Sequence, residues 1–321
     1  MSAAETVGVD LGGTKVLVGV VGADHRVLYE DREQSAGQQQ EELLQTLERE
    51  VAEALEARPD AAAVGLGIPC TIDREKGLAI SAVNLPLRNV PIRDLMQERL
   101  GIPIFIDNDA NVAALAEHRL GAARGTREAV MLTIGTGIGG GVIIDGEVYR
   151  GSKGAASEPG HIVIDFDGPP CQGNCPNHGC LETFASGTAL AREGREAAKQ
   201  DPDSMLGKAL AEGRVIDGET VTDAANAGDP VAVSVVETAG RRLGAGLVSL
   251  ANVFEPEVIV LGGGVAKAVG ELMASPAREE LRARALPPMN ATPVKFAELG
   301  PEAGMVGAAE MARVELGSGA S

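Results

Sequence analysis

The sequence predicts an α/β protein of two lobes, and two observations carry that expectation. Val7–Val21 (VGVDLGGTKVLVGVV) and Val130–Ile144 (VMLTIGTGIGGGVII) share one plan: an apolar β-rich run, a glycine-rich turn and a second apolar run. A unit used twice suggests a pseudo-duplicated protein with a cleft between its halves, although two unrelated hairpins would read the same at this level. Around the two copies, helical and strand patterns alternate. With 321 residues, 44% of them apolar, the chain can bury two cores of ordinary size.

The elements follow in order. After the first hairpin, Gln40–Ala57 places Leu and Val at helical spacing along a polar stretch. Val64–Ile68 reads as a short strand, Ile92–Leu100 as a helix, and Pro103–Ile106 as a strand ending at Asp107. An Ala-rich helix, Ala110–Leu120, leads to the second hairpin. Beyond residue 182 the pattern is mostly helical: Thr188–Ala198, Leu206–Glu212, Thr220–Ala227 and the long Pro230–Asn252. A strand at Val258–Leu261, a Gly262–Gly264 turn with a helix after it, and a last helix at Met305–Val314 complete the series.

Bulk composition removes several function classes. Net charge is −18, the wrong sign for a nucleic-acid surface. Aromatic residues make up 2% and Trp is absent, which argues against base-stacking and aromatic sugar platforms. No apolar run approaches the ~18 residues that suggest a membrane span. The opening MSAAETVGVD has no signal-peptide character, so a cytoplasmic location is expected.

The glycine turns are the first chemical signal. A turn without side chains exposes backbone N–H groups that can wrap phosphate oxygens. In Asp10–Lys15 (DLGGTK), Gly12 and Gly13 are joined by a hydroxyl, Thr14, and an amine, Lys15, while Asp10 offers oxygen to Mg2+. In GTGIGGG, Gly135, Thr136 and Gly137 form the matching turn. Either turn alone reads first as a plain tight hairpin, and neither is a Walker A motif. Gly262 and Gly263 follow a strand and precede a helix, a place for part of a nucleotide. The second signal is IDNDAN at 106–111, where a strand stops and a helix begins. Asn108 or Asp109 reads as a simple N-cap; alternatively Asp109 is a general base. A carboxylate near a helix N-terminus is expected to stay ionised and therefore weakly basic, which the loose transition state of phosphoryl transfer tolerates. The third signal is CQGNCPNHGCLE, three of four cysteines spaced C-x3-C-x4-C, which suits metal or redox chemistry better than disulfides.

DLGGTK at 10–15, NDAN at 108–111, GTGIGGG at 135–141, EPGH at 158–161, GCLE at 179–182 and LGGG at 261–264, in that order, resemble the ROK family of bacterial sugar kinases and repressors, and within it the glucokinase branch. The resemblance covers Val7 to about Gly307. It implies an actin-like (ribonuclease H-like) ATPase fold of hexokinase type, with a small lobe of 1–119 plus 301–321 and a large lobe of 120–300. It implies ATP-dependent phosphorylation of glucose at the 6-hydroxyl, a step of glycolysis, with Mg-ATP in the interlobe cleft and its adenosine near Gly262 and Gly263. Asp109 matches the catalytic base. Asn84, Asn108, Asp109, Glu158, His161 and Glu182 would hold sugar hydroxyls, a task suited to carboxylates, amides and imidazole. The family's structural zinc would be bound by Cys171, Cys175, Cys180 and His161, a closed tetrahedral set.

Three departures from the family pattern stand out. The cysteine spacing is longer than the usual C-x-C-x4-C, His178 inside the loop competes with His161 as fourth ligand, and Ser157 and Pro159 replace residues of the common GE[IV]GH. Cys70 reads as a core thiol, and His25 and His118 as surface positions. The sugar-sensing repressors of the family carry an N-terminal helix-turn-helix, for which DLGGTK at residue 10 leaves no room. A hexose kinase with glucose as substrate is thus the leading expectation. N-acetylmannosamine, N-acetylglucosamine, fructose and mannose are the alternatives, and a homodimer or tetramer is expected by resemblance.

Overall fold

The computed structural model describes residues 4–82, 85–173 and 175–318. Contacts divide the chain into two units. One comprises Met1–Gly125, Gly141–Ser157 and Glu298–Ser321, and the other Thr126–Gly140 and Glu158–Ala297.

In the first unit, β1 (Glu5–Leu11), β2 (Lys15–Val21) and β3 (Val27–Gln34) form an antiparallel meander. Val7 pairs with Val20 and Asp10 with Leu17, so the DLGGTK turn joins β1 to β2. The helix α1 (Gln40–Ala57) begins with a capping box, in which the Gln39 N–H donates to Glu42 Oε2 at 2.8 Å. It buries Leu43, Leu44, Leu47 and Val51. Then β4 (Ala61–Ile68) lies parallel to β1. Three short strands, β5 (Cys70–Asp73), β6 (Leu78–Ala82) and β7 (Arg88–Val90), make a separate antiparallel sheet. After α2 (Ile92–Leu100), β8 (Ile104–Asn108) completes the main sheet in the order β3-β2-β1-β4-β8 and runs directly into α3 (Asp109–Leu120). The core between these elements includes Val9, Val18, Leu66, Ile68, Met96 and Ile106.

The second hairpin is β9 (Ala129–Ile134) and β10 (Ile138–Ile144), and β10 passes from the second unit into the first. There its end pairs with β11 (Glu147–Val148), Ile143 opposite Val148. The segment Gly141–Ser157, which the sequence assigned to 120–300, groups with the first unit because it packs on α3. A Cβ at Gly141 would meet Ala114, and Arg119 reaches Glu147.

The second unit is mainly helical. It contains α4 (Glu182–Ala185), α5 (Gly187–Gln200), α6 (Met205–Ala211), α7 (Gly218–Asn226) and the long α8 (Pro230–Phe254). The strand β12 (Val258–Gly262) lies parallel to β9, and α9 (Gly264–Val269) and α10 (Glu271–Arg284) lead to β13 (Val294–Phe296), parallel to β12. Last comes α11 (Ala303–Ser318), which returns to the first unit. It lies on the backbones of β1 and β4 so closely that a Cβ at Gly8 would overlap Met305 O, and one at Gly65 would overlap Ala308 O. Thr6 Oγ1 donates to Ala309 O at 2.9 Å across the same contact. His118, expected on the surface, is buried in α3 because α3 itself is covered along most of its length.

Candidate active site

The junction of β8 and α3 gathers four polar side chains in five residues. Asn108 is the N-cap: its Oδ1 accepts from the Ala110 N–H at 2.9 Å and the Asn111 N–H at 3.4 Å. Its Nδ2 donates to Cys70 O at 3.4 Å. Capping therefore falls to Asn108, and Asp109 occupies the first helical position with its carboxylate released from that task. Burial raises the Asp109 carboxyl above the ordinary range, and the N–H groups of Ala110 and of Asp109 itself oppose this only in part. The expectation of a weakly basic Asp109 is thus corrected, since loss of water outweighs the helix terminus here. Just before it, Asp107 is buried and accepts from the Asn108 N–H at 2.8 Å and from Asn111 Nδ2 at 3.0 Å.

In the same unit, the β1–β2 turn is closed by a bond from the Gly12 N–H to Lys15 O at 2.8 Å. Gly12 and Gly13 span the turn, Lys15 is exposed, and the Thr14 carbonyl accepts from the Ser35 N–H at 2.9 Å. Asp10, at the end of β1, has its carboxyl pushed up to about 6, first by burial and then by the charge of Asp109, while Lys15 pulls the other way. The structure thus brings Asp10 and Asp109 within electrostatic range of each other. Two carboxylates raised by burial offer oxygen ligands of the kind that suit a hard divalent cation. Cys70, buried close to Asp109, is pushed up to about 12 by burial and then by that charge, which makes it an inert core thiol as expected.

In the second unit, the Gly135–Gly137 turn is fixed from behind. The Gly135 carbonyl accepts from the Gly187 N–H at 2.8 Å, and the Thr136 carbonyl accepts from Thr188 Oγ1 at 2.8 Å, both at the start of α5. Glu182 Oε2 accepts from the Ile138 N–H at 2.8 Å, and a Cβ at Gly137 would collide with it. Gly262 ends β12 and Gly263 caps α9.

His161 ends a single 3-10 turn, Pro159–His161, that follows the exposed Glu158. Its Nδ1 lies 3.5 Å from Cys171 Sγ. The ligand atoms of His161, Cys171, Cys175 and Cys180 all lie within 4.8 Å of one another. None of the four cysteines is in a disulfide, and Cys175 Sγ stands 3.9 Å from Cys180 Sγ. Burial, and then the neighbouring thiols, hold Cys171 protonated far above its usual range, and Cys180 is raised by burial as well. A bound cation would favour the thiolate forms of such a cluster. His178 points elsewhere, its Nδ1 3.3 Å from Gly168 O, and it is exposed. Glu182 joins the two features of this unit: one carboxylate oxygen is on the hairpin, the other 3.8 Å from Cys171 Sγ.

Asn84 lies outside the described residues. Asp107 was not singled out in the sequence beyond marking a strand end, and Arg150, whose Nε donates to Asp107 Oδ2, was not singled out at all. Glu117 was missed too. Buried in α3, it accepts from the Ala122 N–H at 2.8 Å and the Leu299 N–H at 2.8 Å, tying the helix to the segment before α11.

A family model described as "ROK family" matches residues 6–315. A glucokinase from Halalkalibacterium halodurans is 36% identical over 311 residues, covering 94% of this chain and 92% of its own. One from Thermotoga maritima is 35% identical, covering 97% and 98%. Among solved structures, a ROK family glucokinase from Streptomyces griseus in complex with glucose and AMPPNP superimposes with a TM-score of 0.83 at 38% identity, covering 97% of this chain and 99% of its own.

Proposed function

Because the chain belongs to the ROK family and has its actin-like, hexokinase-type α/β ATPase fold, we propose that it transfers the γ-phosphoryl group of ATP to the 6-hydroxyl of glucose. The observation that carries this reading is the pairing of Asp109 with Asp10: a half-buried, raised carboxylate within electrostatic range of a second one beside a glycine-rich turn. The similarity to glucokinases along nearly the whole chain supports glucose and ATP as the substrates.

In this reading Asp109 accepts the proton of the 6-hydroxyl as the phosphoryl group arrives. Its raised pKa makes it a better proton acceptor than an exposed aspartate. The N–H groups around Gly12, Gly13, Thr14, Gly135, Thr136 and Gly137, with the Lys15 amine, hold the phosphates, and Gly262 and Gly263 adjoin the adenosine. Asp10 would hold Mg2+, which supplies charge neutralisation for the phosphates. Asn84, Asn108, Glu158, His161 and Glu182 orient the sugar hydroxyls. The imidazole and three thiols of His161, Cys171, Cys175 and Cys180 suit one zinc ion in a closed, structural role. We place the protein in the cytoplasm as a homo-oligomer and as an entry step to glycolysis. No described helix is long and apolar enough to cross a membrane.

The test is a coupled assay with ATP, Mg2+ and a panel of hexoses. Glucose should give the highest kcat/KM. Phosphorylation of an N-acetylhexosamine with none of glucose would overturn the substrate assignment. Metal analysis tests the zinc: one ion per chain is expected in the wild type and in His178→Ala, and none in Cys175→Ala. Zinc retained by Cys175→Ala would remove the site.

A further inference from the structure

We propose that Asp107 and Arg150 form a positioning pair that fixes the strand-to-helix junction and so holds Asp109 in place for proton transfer. The proposal rests on the reading of Asp109 as the base.

Arg150 Nε donates to Asp107 Oδ2 at 2.5 Å. The aspartate side chain is 2% exposed and the arginine 19%. The other carboxylate oxygen, Oδ1, accepts from the Asn108 N–H at 2.8 Å and from Asn111 Nδ2 at 3.0 Å. Three donors thus converge on one buried carboxylate. They come from the residue after it, from the first turn of α3, and from a loop 43 residues away. On its other side Asp107 sits in register with Gly67 of β4. Asp109 lies between the two junction residues bonded to Asp107, Asn108 and Asn111, and its own carboxylate has no part in this network. Its direction is therefore set by the frame around it.

A buried carboxylate is costly unless paired, and an amide or hydroxyl could satisfy the same two N–H donors without charge. The charge becomes useful when it recruits a guanidinium, whose planar fork is rigid and always charged. Arg150 also donates through Nη1 to Val148 O at 3.4 Å, which anchors it beside β11. The loop beyond it turns with left-handed glycines, φ 68° at Gly151 and 88° at Gly154, and packs against Arg74. Arg150 lines a cavity of about 530 Å3, together with Ile106 and the exposed Ser152 and Lys153. The pair is therefore buried at the carboxylate end and reachable from solvent at the guanidinium end.

That geometry permits chemical rescue. In Arg150→Ala the vacated space adjoins the cavity, and free guanidinium ion can enter to meet Asp107. The variant should lose about 10–100-fold in kcat, the scale expected when a reacting group is displaced by around 1 Å, with the KM for ATP little changed. Guanidinium at tens of millimolar, below its unfolding range, should restore several-fold of that loss and leave the wild type unaffected. Arg150→Lys should lie between Ala and wild type. Amide hydrogen exchange at residues 108–111 should speed up in Arg150→Ala and slow again with guanidinium. A wild-type kcat in Arg150→Ala overturns the proposal, as does a kcat loss without rescue and without faster exchange at 108–111. If exchange responds as expected but the wild type phosphorylates no hexose, the framing of the junction stands and the kinase reading fails.

Discussion

Asp107 and Asp109 stand two residues apart in one strand-to-helix junction, and the chain surrounds them in opposite ways. Asp107 is saturated by a guanidinium, a backbone N–H and a side-chain amide. Asp109 has only first-turn N–H groups to favour its charge, and its strongest influence is the loss of water that disfavours it. Asp107 has the partners of a structural carboxylate, whereas the few partners of Asp109 suit the proton-accepting role proposed for it. The difference lies in placement: Asp107 is the penultimate strand residue, facing the Arg150 loop, whereas Asp109 opens the helix after Asn108 has taken the cap.

The contrast can be broken by removing each group in turn. Asp109→Asn should remove turnover by about 10²–10⁴-fold, because an amide keeps the shape and cannot take the proton. Steady-state kinetics together with sugar binding by calorimetry would check this, and near-wild-type kcat would reduce Asp109 to a helix residue. Asp107→Asn should cost about 2–4 kcal/mol in denaturant unfolding and, by loosening the junction, lower kcat much as Arg150→Ala does. It strands the Arg150 charge, which retains some solvent contact. If it unfolded no more easily than the wild type, the two aspartates would not differ as described.

Asp10 sharpens the comparison from the other side. Its carboxyl is raised from 3.8 to about 6, so between those values the folded protein binds more protons than the unfolded chain. Stability without bound metal should then fall as pH rises from about 4 to about 6 and stay at the lower level above that window. Asp10→Asn should abolish this fall and stabilise the metal-free protein by about 1–3 kcal/mol at pH 8, with little effect at pH 4. Thermal unfolding at the two pH values is the measurement, and a variant less stable at pH 8 would contradict it. The smallest effect is expected from His178→Ala, which touches only an exposed loop contact: about 0.5 kcal/mol or less in unfolding and no change in turnover.

Periodicity and turn chemistry made much of this molecule legible in advance. The bounds of α1 and α2 match the sequence reading, and the two glycine hairpins appear as β1–β2 and β9–β10. The β5–β7 sheet escaped because strands of four, five and three residues are too short for alternation to show. The edge strand β3 is mostly exposed and carries no apolar stripe. At the site, chemical types and spacing marked Asp10 and the cysteine loop as candidates, whereas Asp109 was raised above a helix cap only by the family resemblance. Arg150 and Asp107 could not be paired, since no local pattern links side chains 43 residues apart. Nor could the sequence show that burial would outweigh the helix terminus at Asp109.

The two glycines under α11 bear on the order in which the molecule can be built. Gly8 and Gly65 leave a groove in β1 and β4 that the backbone of α11 fills. The strands leave the ribosome early, whereas residues 303–318 leave it after the whole second unit has been translated. During synthesis the sheet must wait with one apolar face bare, open to chaperones and to neighbouring nascent chains, while Thr126–Gly140 and Glu158–Ala297 can already pack locally. A ribosome-stalled chain ending before Ala303 should therefore show a protease-sensitive first unit beside a protected second one, and supplying residues 303–318 as a separate peptide should restore protection.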